Sequence, residues 1–234
     1  YDEKNLVFSS EARSIYKYKN FKKTLNKHSI NLYFQYGFLE TNDRLFNNLK
    51  QLEPSTIIEF SLNQKIHLSN KIKYNNIEKN YYSYKGKNYH QELKNLLIES
   101  CERRMVADVP IGCFLSGGTD SSLISYIITK ELNKKISTFT VCDTNLNMDD
   151  YKNSEKIANY LKTDHHILNL KNQRKDLNNI IYNYGELFDE PFADISAIPN
   201  ILVSKLARSK VKVVLSGDGA DEIFAGYPKY SNII

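Results

Sequence analysis

From Ile111 onward the chain alternates short apolar runs with stretches of helical periodicity, and this alternation restricts the fold more than any other feature. The run 111–115 is apolar throughout, as a strand covered on both faces must be, and 211–215 reads as another buried strand, apolar except for Lys212. The pattern predicts strands at 111–115, 136–141, 165–170 and 211–215. It predicts helices at 121–132, 151–161, 176–187 and 196–207, with another starting at Asp221. Strands that take turns with helices pair in parallel and carry helices on both faces, so the expected fold class is α/β, a doubly wound parallel sheet. Just before it, Tyr89, Leu93, Leu96, Leu97, Cys101 and Met105 share one helical face, and Pro110 blocks that helix from continuing.

The first 70 residues read differently. β-branched and aromatic residues cluster at 5–9 and 56–62 as in strands, and 29–36 suits a short helix with Ser29 as its cap. A Lys-, Asn- and Tyr-rich stretch without sustained periodicity follows. The expected division is 1–70, a linker at 71–88, and a second domain at 89–234. The chain opens on Tyr1 and runs at once into strand-like sequence, so it reads as an excised piece of a longer protein. No apolar run approaches the roughly 20 residues that cross a bilayer, so no membrane partner is expected. Three scattered cysteines without a CxxC spacing suit a reducing, cytoplasmic setting. The net charge of +5 comes from dispersed lysines, which argues against a nucleic-acid interface. His165 and His166 are adjacent, so in a strand they face opposite ways and form no metal pair.

Two glycine-bearing loops follow the two strands that bracket the α/β region. Over 116–122 the chain reads Ser-Gly-Gly-Thr-Asp-Ser-Ser. Gly117 and Gly118 let backbone N–H groups approach an anion closely, and the hydroxyls of Ser116, Ser121 and Ser122 can donate to phosphate oxygens. The helix that begins here points its positive end at the same place. Asp120 would repel a bare phosphate, which points to an intervening Mg²⁺. A tight strand-to-helix turn is the simpler alternative for this loop. Over 214–227 a second loop contains Ser216, Gly217 and Gly219 with three crowded carboxylates, Asp218, Asp221 and Glu222. Acids decorating a helix start would explain Asp221 and Glu222 but not the turn before them.

The first string, with the Ala-Asp-Val-Pro-Ile-Gly-Cys-Phe-Leu that leads into it over 107–115, resembles the pyrophosphate loop of N-type ATP pyrophosphatases of the asparagine synthetase family. The second loop and the segment 187–199 are similar to that family too, and residues 6–11 and 45–60 resemble the end of its α+β N-terminal-nucleophile glutaminase domain. The resemblance implies ATP-dependent amidation of aspartate to asparagine through a β-aspartyl-adenylate, with ATP and Mg²⁺ as cofactors and ammonia derived from glutamine. It implies that Ser116, Gly117, Gly118, Ser121 and Ser122 hold pyrophosphate, and that Asp120 and Asp221 bind Mg²⁺. Backbone contacts to adenine fall at Leu115 and Val141, and further nucleotide contacts at Ser216 and Gly217. Asp218 is the catalytic acidic position of adenylate formation, and Asp189, Glu190 and Asp194 shape an amino-acid pocket. The glutaminase nucleophile and a catalytic lysine would lie outside residues 1–234, so this piece alone is expected to be inactive, and a homodimer stays open. Two other readings also stay open: a relative that activates another carboxylate, as β-lactam synthetases do, and a non-catalytic nucleotide-binding remnant.

Overall fold

A computed structural model of the chain describes residues 1–39, 44–75, 88–142 and 148–232. Most of the 71–88 linker therefore lies outside the described residues. Contacts divide the chain into two units, Tyr1–Lys85 with Asn179–Ile195, and Gly86–Asn178 with Ser196–Ile234.

The first unit begins with α1 (Ala12–Tyr16) and α2 (Lys27–Tyr36) and continues into the antiparallel strands β1 (Thr56–Ser61) and β2 (His67–Lys73). Helix α2 is capped by Asn26, whose side chain accepts from the backbone N–H groups of His28 and Ser29. Ser29, expected as the cap, lies one turn inside and is wholly buried. Its C-terminus closes on Gly37 in the left-handed conformation, the usual way to end a helix. Residues 5–9 join no ladder, and β1 pairs with β2 along its whole length. Tyr16, Phe21 and Phe46 form an aromatic triad with centroids 5.0–5.8 Å apart.

In the second unit, α3 (Tyr89–Arg104) precedes a four-stranded sheet of β3 (Ile111–Phe114), β4 (Ser137–Cys142), β5 (Asp164–Asn169) and β6 (Val213–Leu215). All three pairings are parallel and the strand order is β5-β4-β3-β6. Between the strands run α4 (Thr119–Tyr126), extended by a π-helical turn over Ile127–Glu131, then α5 (Met148–Leu161) and α6 (Arg174–Tyr182). The boundary between the units falls within α6. The residues beyond it, including the single turn α7 (Tyr184–Leu187), group with the first unit. Helices α8 (Ala197–Arg208) and α9 (Ala220–Phe224) complete the chain's α-helices among the described residues.

The sheet is covered on both faces, and the strands show why. Cys113 of β3 packs with Cys101, Ile127, Ile128 and Ile136 on one side, while its neighbour Phe114 packs with Phe139, Val203 and Ala207 on the other. Leu215 and Val214 of β6 divide in the same way. Adjacent residues of a strand point to opposite faces, so an uninterrupted apolar run is what a doubly covered strand requires. The doubly wound α/β class read from the sequence is the observed fold.

Candidate active site

In the second unit the chain leaves β3, builds outward through β4 and β5, and then returns to place β6 on the other side of β3. The strand order therefore reverses between β3 and β6. In a parallel sheet a crevice opens at the carboxyl ends of two such strands, and that is where ligands bind. Cys113 pairs with Leu215, so both glycine loops leave the same edge side by side.

Leu115 is fully buried at the exit of β3. Its N–H donates to the Phe139 carbonyl at 2.9 Å, and its own carbonyl accepts from the Thr140 hydroxyl. The chain then turns through Gly117, whose φ of +90° lies in the left-handed region that side chains with a Cβ rarely adopt. Gly118 is the residue before the first turn of α4. The loop's hydroxyls fall into two groups. Ser121 is buried, accepts from the Ser116 N–H at 3.1 Å, and lies 2.9 Å from the Ser116 hydroxyl. The Ser122 hydroxyl donates to the Gly118 carbonyl at 2.5 Å. Ser116 and Gly118 are exposed, with the Ser116 Oγ accepting from the Gly118 N–H at 3.3 Å.

The second loop touches the first directly. A Cβ built on Gly217 would stand 2.9 Å from the Asp120 Cβ and 3.0 Å from the Ser121 backbone nitrogen, closer than real side chains come. Only glycine admits this approach. Ser216 donates its hydroxyl to Asp218 Oδ2 at 2.9 Å and accepts from the Asp218 N–H at 3.4 Å, which fixes the carboxylate on an exposed turn. Gly219, at φ +92°, precedes α9, where Asp221 is half-buried. Beyond it the Tyr227 hydroxyl donates to Glu222 at 2.6 Å. That bond pushes the phenol up to about 12 and holds the carboxyl of Glu222 below its usual range.

The fold thus gathers Leu115, Ser116, Gly117, Gly118, Asp120, Ser121 and Ser122 in one loop, against which Gly217 packs. Ser216 and Asp218 belong to the loop of Gly217, and Asp221 lies in the first turn of α9 that follows it. Val141 lies on β4 in register with Leu168. Asp189, Glu190 and Asp194 belong to the first unit. There Asp189 accepts from the Ala12 N–H at 2.7 Å and from Arg13 at 2.9 Å. Glu190 meets Arg44 at 2.6 Å and the Leu45 N–H at 2.9 Å, with both side chains largely buried. The two carboxylates beside Tyr16, together with burial as the larger cause, push its phenol up to about 12. Asp194 lines a cavity of about 380 Å³ with Tyr36, Phe38 and Phe192. Sequence reading did not single out Arg13 and Arg44. The only signal was that two adjacent carboxylates in an apolar segment need cationic partners.

Residues 92–233 match the family model described as asparagine synthase. The chain belongs to the asparagine synthase family. Residues 1–74 match a second model, the glutamine amidotransferase domain. A Methanocaldococcus jannaschii protein provisionally named as a second glutamine-hydrolysing asparagine synthetase is 34% identical over 99% of this chain and 45% of its own length. The glutamine-hydrolysing asparagine synthetase 1 of Bacillus subtilis is 29% identical over 96% of this chain and 34% of its own. The chain thus spans half or less of these family members. Among solved structures, the NH3-dependent NAD synthetase of Campylobacter jejuni aligns with TM-score 0.42 and 15% identity over 58% of this chain and 60% of that one.

Proposed function

We propose that this chain is the nucleotide-activating part of a glutamine-dependent asparagine synthetase, and that its second unit forms an acyl-adenylate from ATP and aspartate. The observation that carries this reading is the contact of the two glycine loops at the strand-order reversal, with Gly217 against the backbone of Asp120. One loop offers backbone N–H groups and a helix start to an anion, and the other brings a carboxylate-bearing turn against it.

In this reading an oxygen of the aspartate β-carboxylate attacks the α-phosphorus of ATP, forming a mixed anhydride as the bond to the β-phosphate oxygen breaks and pyrophosphate leaves. Ammonia, derived from glutamine, then attacks the anhydride carbonyl. AMP departs and a proton is lost, leaving the amide. Ser116, Gly117, Gly118 and Ser122 cradle the departing pyrophosphate, while Ser121 shapes the cradle. The backbone at Leu115 and Val141 faces adenine, and Ser216 and Gly217 border the nucleotide. Asp218, held by Ser216, orients the carboxylate or takes the proton. No cluster of three or more His, Cys, Asp or Glu residues able to hold a metal occurs among the described residues. Mg²⁺ characteristically uses one or two carboxylates and completes its shell with water and substrate phosphates, so Asp120 and Asp221 suit an ion that arrives with the nucleotide. When bound, it neutralises charge on the leaving pyrophosphate. The amino-acid pocket reading keeps Asp189, Glu190 and Asp194, the first two with their carboxylates paired to Arg13 and Arg44.

The test is pyrophosphate release by the full-length protein, with ammonia supplied, across a panel of carboxylic acids. Release with aspartate supports the reading. Release with a different acid alone replaces the substrate, and nucleotide binding without any release overturns the assignment as a ligase.

A further inference from the structure

The peptide unit joining Leu115 to Ser116 is held at both of its polar atoms. Its carbonyl oxygen accepts from the Thr140 hydroxyl on β4, and its N–H donates to Ser121 Oγ at 3.1 Å. Thr140 is 3% exposed and Leu115 not at all, so the first of these bonds lies away from water. A peptide unit is planar, and fixing both ends fixes the orientation of the whole plane. Ser116 alone separates that plane from Gly117 and Gly118, where few steric limits remain to direct the backbone. The neighbouring hydroxyl on the same face of β4 acts differently. Thr138 lies 2.8 Å from both Thr163 Oγ1 and His165 Nδ1 and serves the β4–β5 side of the sheet.

We infer that Thr140 is a positioning residue for the phosphate loop: its hydroxyl, with that of Ser121, sets the plane of the 115–116 peptide and so fixes where Ser116 and the glycine turn start toward the anion. This rests on the nucleotide reading of the site, although the pinning itself does not. Loss of the Thr140 hydroxyl leaves a buried carbonyl without that donor. A carbonyl in that position rotates toward another donor, and its rigid partner N–H turns away from Ser121.

The experiment compares the full-length wild type with Thr140→Val and Thr140→Ser. It measures Mg²⁺-ATP affinity, and separately the amide hydrogen exchange of residues 116–118 without nucleotide. Thr140→Val keeps the shape and removes the hydroxyl. It should weaken nucleotide affinity about five- to tenfold, the ratio equivalent of one neutral hydrogen bond, and should speed exchange at 116–118. Thr140→Ser keeps the hydroxyl and should restore both to within about twofold of wild type. Wild-type behaviour in Thr140→Val overturns the inference. Equal impairment of the Ser and Val variants also overturns it, because the methyl group rather than the hydroxyl would then matter. If Thr140→Val does not fold, the Thr140→Ser and Thr140→Ala pair makes the same comparison. Should the wild type bind no nucleotide, the proposed function fails, and the exchange measurement still decides the role of Thr140.

Discussion

Asp218 stands on an exposed turn, and its hydrogen bonds come from its own loop, both through Ser216. A carboxylate held in place this way contributes little to packing, so replacing it separates chemistry from folding. Asp218→Asn should leave ATP affinity within a few-fold while turnover falls by about two orders of magnitude, read from steady-state kinetics beside direct nucleotide binding. A matched loss in both would make Asp218 an organiser of the loop instead. Further along the same segment, the Tyr227–Glu222 pair gives a pH signature. The Tyr227 phenol is raised to about 12 and the Glu222 carboxyl is lowered. For a group with a raised pKa, the stabilising contribution is complete below its unfolded value and is lost as pH climbs through the folded one. For the lowered carboxyl, it is present above the unfolded value and is lost as pH falls through the folded one. The bond is therefore expected to hold from above the ordinary glutamate range to about pH 10, and to open as the phenol ionises towards 12. Phenolate absorbance should show two tyrosines titrating near 12 in wild type, Tyr16 and Tyr227, and one in Tyr227→Phe, whereas loss of a phenol near the ordinary value of about 10 instead would show that the bond does not form in solution.

At the scale of elements, the segment after α6 is fastened to its own unit by two ion pairs of unequal burial. Arg44 and Glu190 have side chains only 13% and 14% exposed, whereas Arg13 is 42% exposed beside Asp189. Removing one partner of a buried pair strands the other charge, while an exposed pair gains little beyond its competition with water. Glu190→Gln should therefore cost about 3 kcal/mol in thermal or urea unfolding, the lower end of the buried range. Removing the Arg13 side chain should cost under about 1 kcal/mol. Equal costs would mean that water reaches both pairs alike. The loops of the second unit are built on another principle, close backbone approach rather than ion pairs. Their geometry depends on glycine at Gly217 and on hydroxyls at Ser121 and Thr140.

Across the whole molecule the buried apolar side chains are unevenly shared. Among the described residues, Leu49 and Ile180 belong to the first unit and all the others to the second. β2 is exposed along its length, and a two-stranded ribbon with so little cover is marginal. The β3 and β4 strands instead lie inside a four-stranded sheet with apolar clusters on both faces. Local opening follows cover, so backbone amides of β1 and β2 should exchange with solvent well before those of β3 and β4 in native-state hydrogen exchange. Protection of the hairpin equal to that of the sheet would show that the two units unfold as one.

The α/β sheet was legible in the sequence because its determinants are local. An apolar run between turn signals has one stable use, and strand–helix alternation has few topologies. Both glycine loops were legible for the same reason, since residues 116–118 and 216–219 carry their backbone freedom in their own composition. The limits of this legibility are physical. Ser29 reads as a cap because capping chemistry is shared among Ser, Thr, Asp and Asn, and the fold chose Asn26 instead. Residues 5–9 have strand composition, but a strand exists only where another backbone supplies its ladder, and none of the described strands pairs with them. Asp189 and Glu190 look alike whether they bind a substrate or an arginine more than 140 positions away. Thr140 looks like any β-branched residue in a strand until the loop of a neighbouring strand brings Leu115 to its hydroxyl. Sequence by itself determined the strands and main helices of the α/β sheet and which residues carry the freedom to bind an anion. Tertiary structure alone decided which distant partners satisfy each polar group, because a buried hydrogen bond or ion pair depends on positions in space that local sequence does not encode.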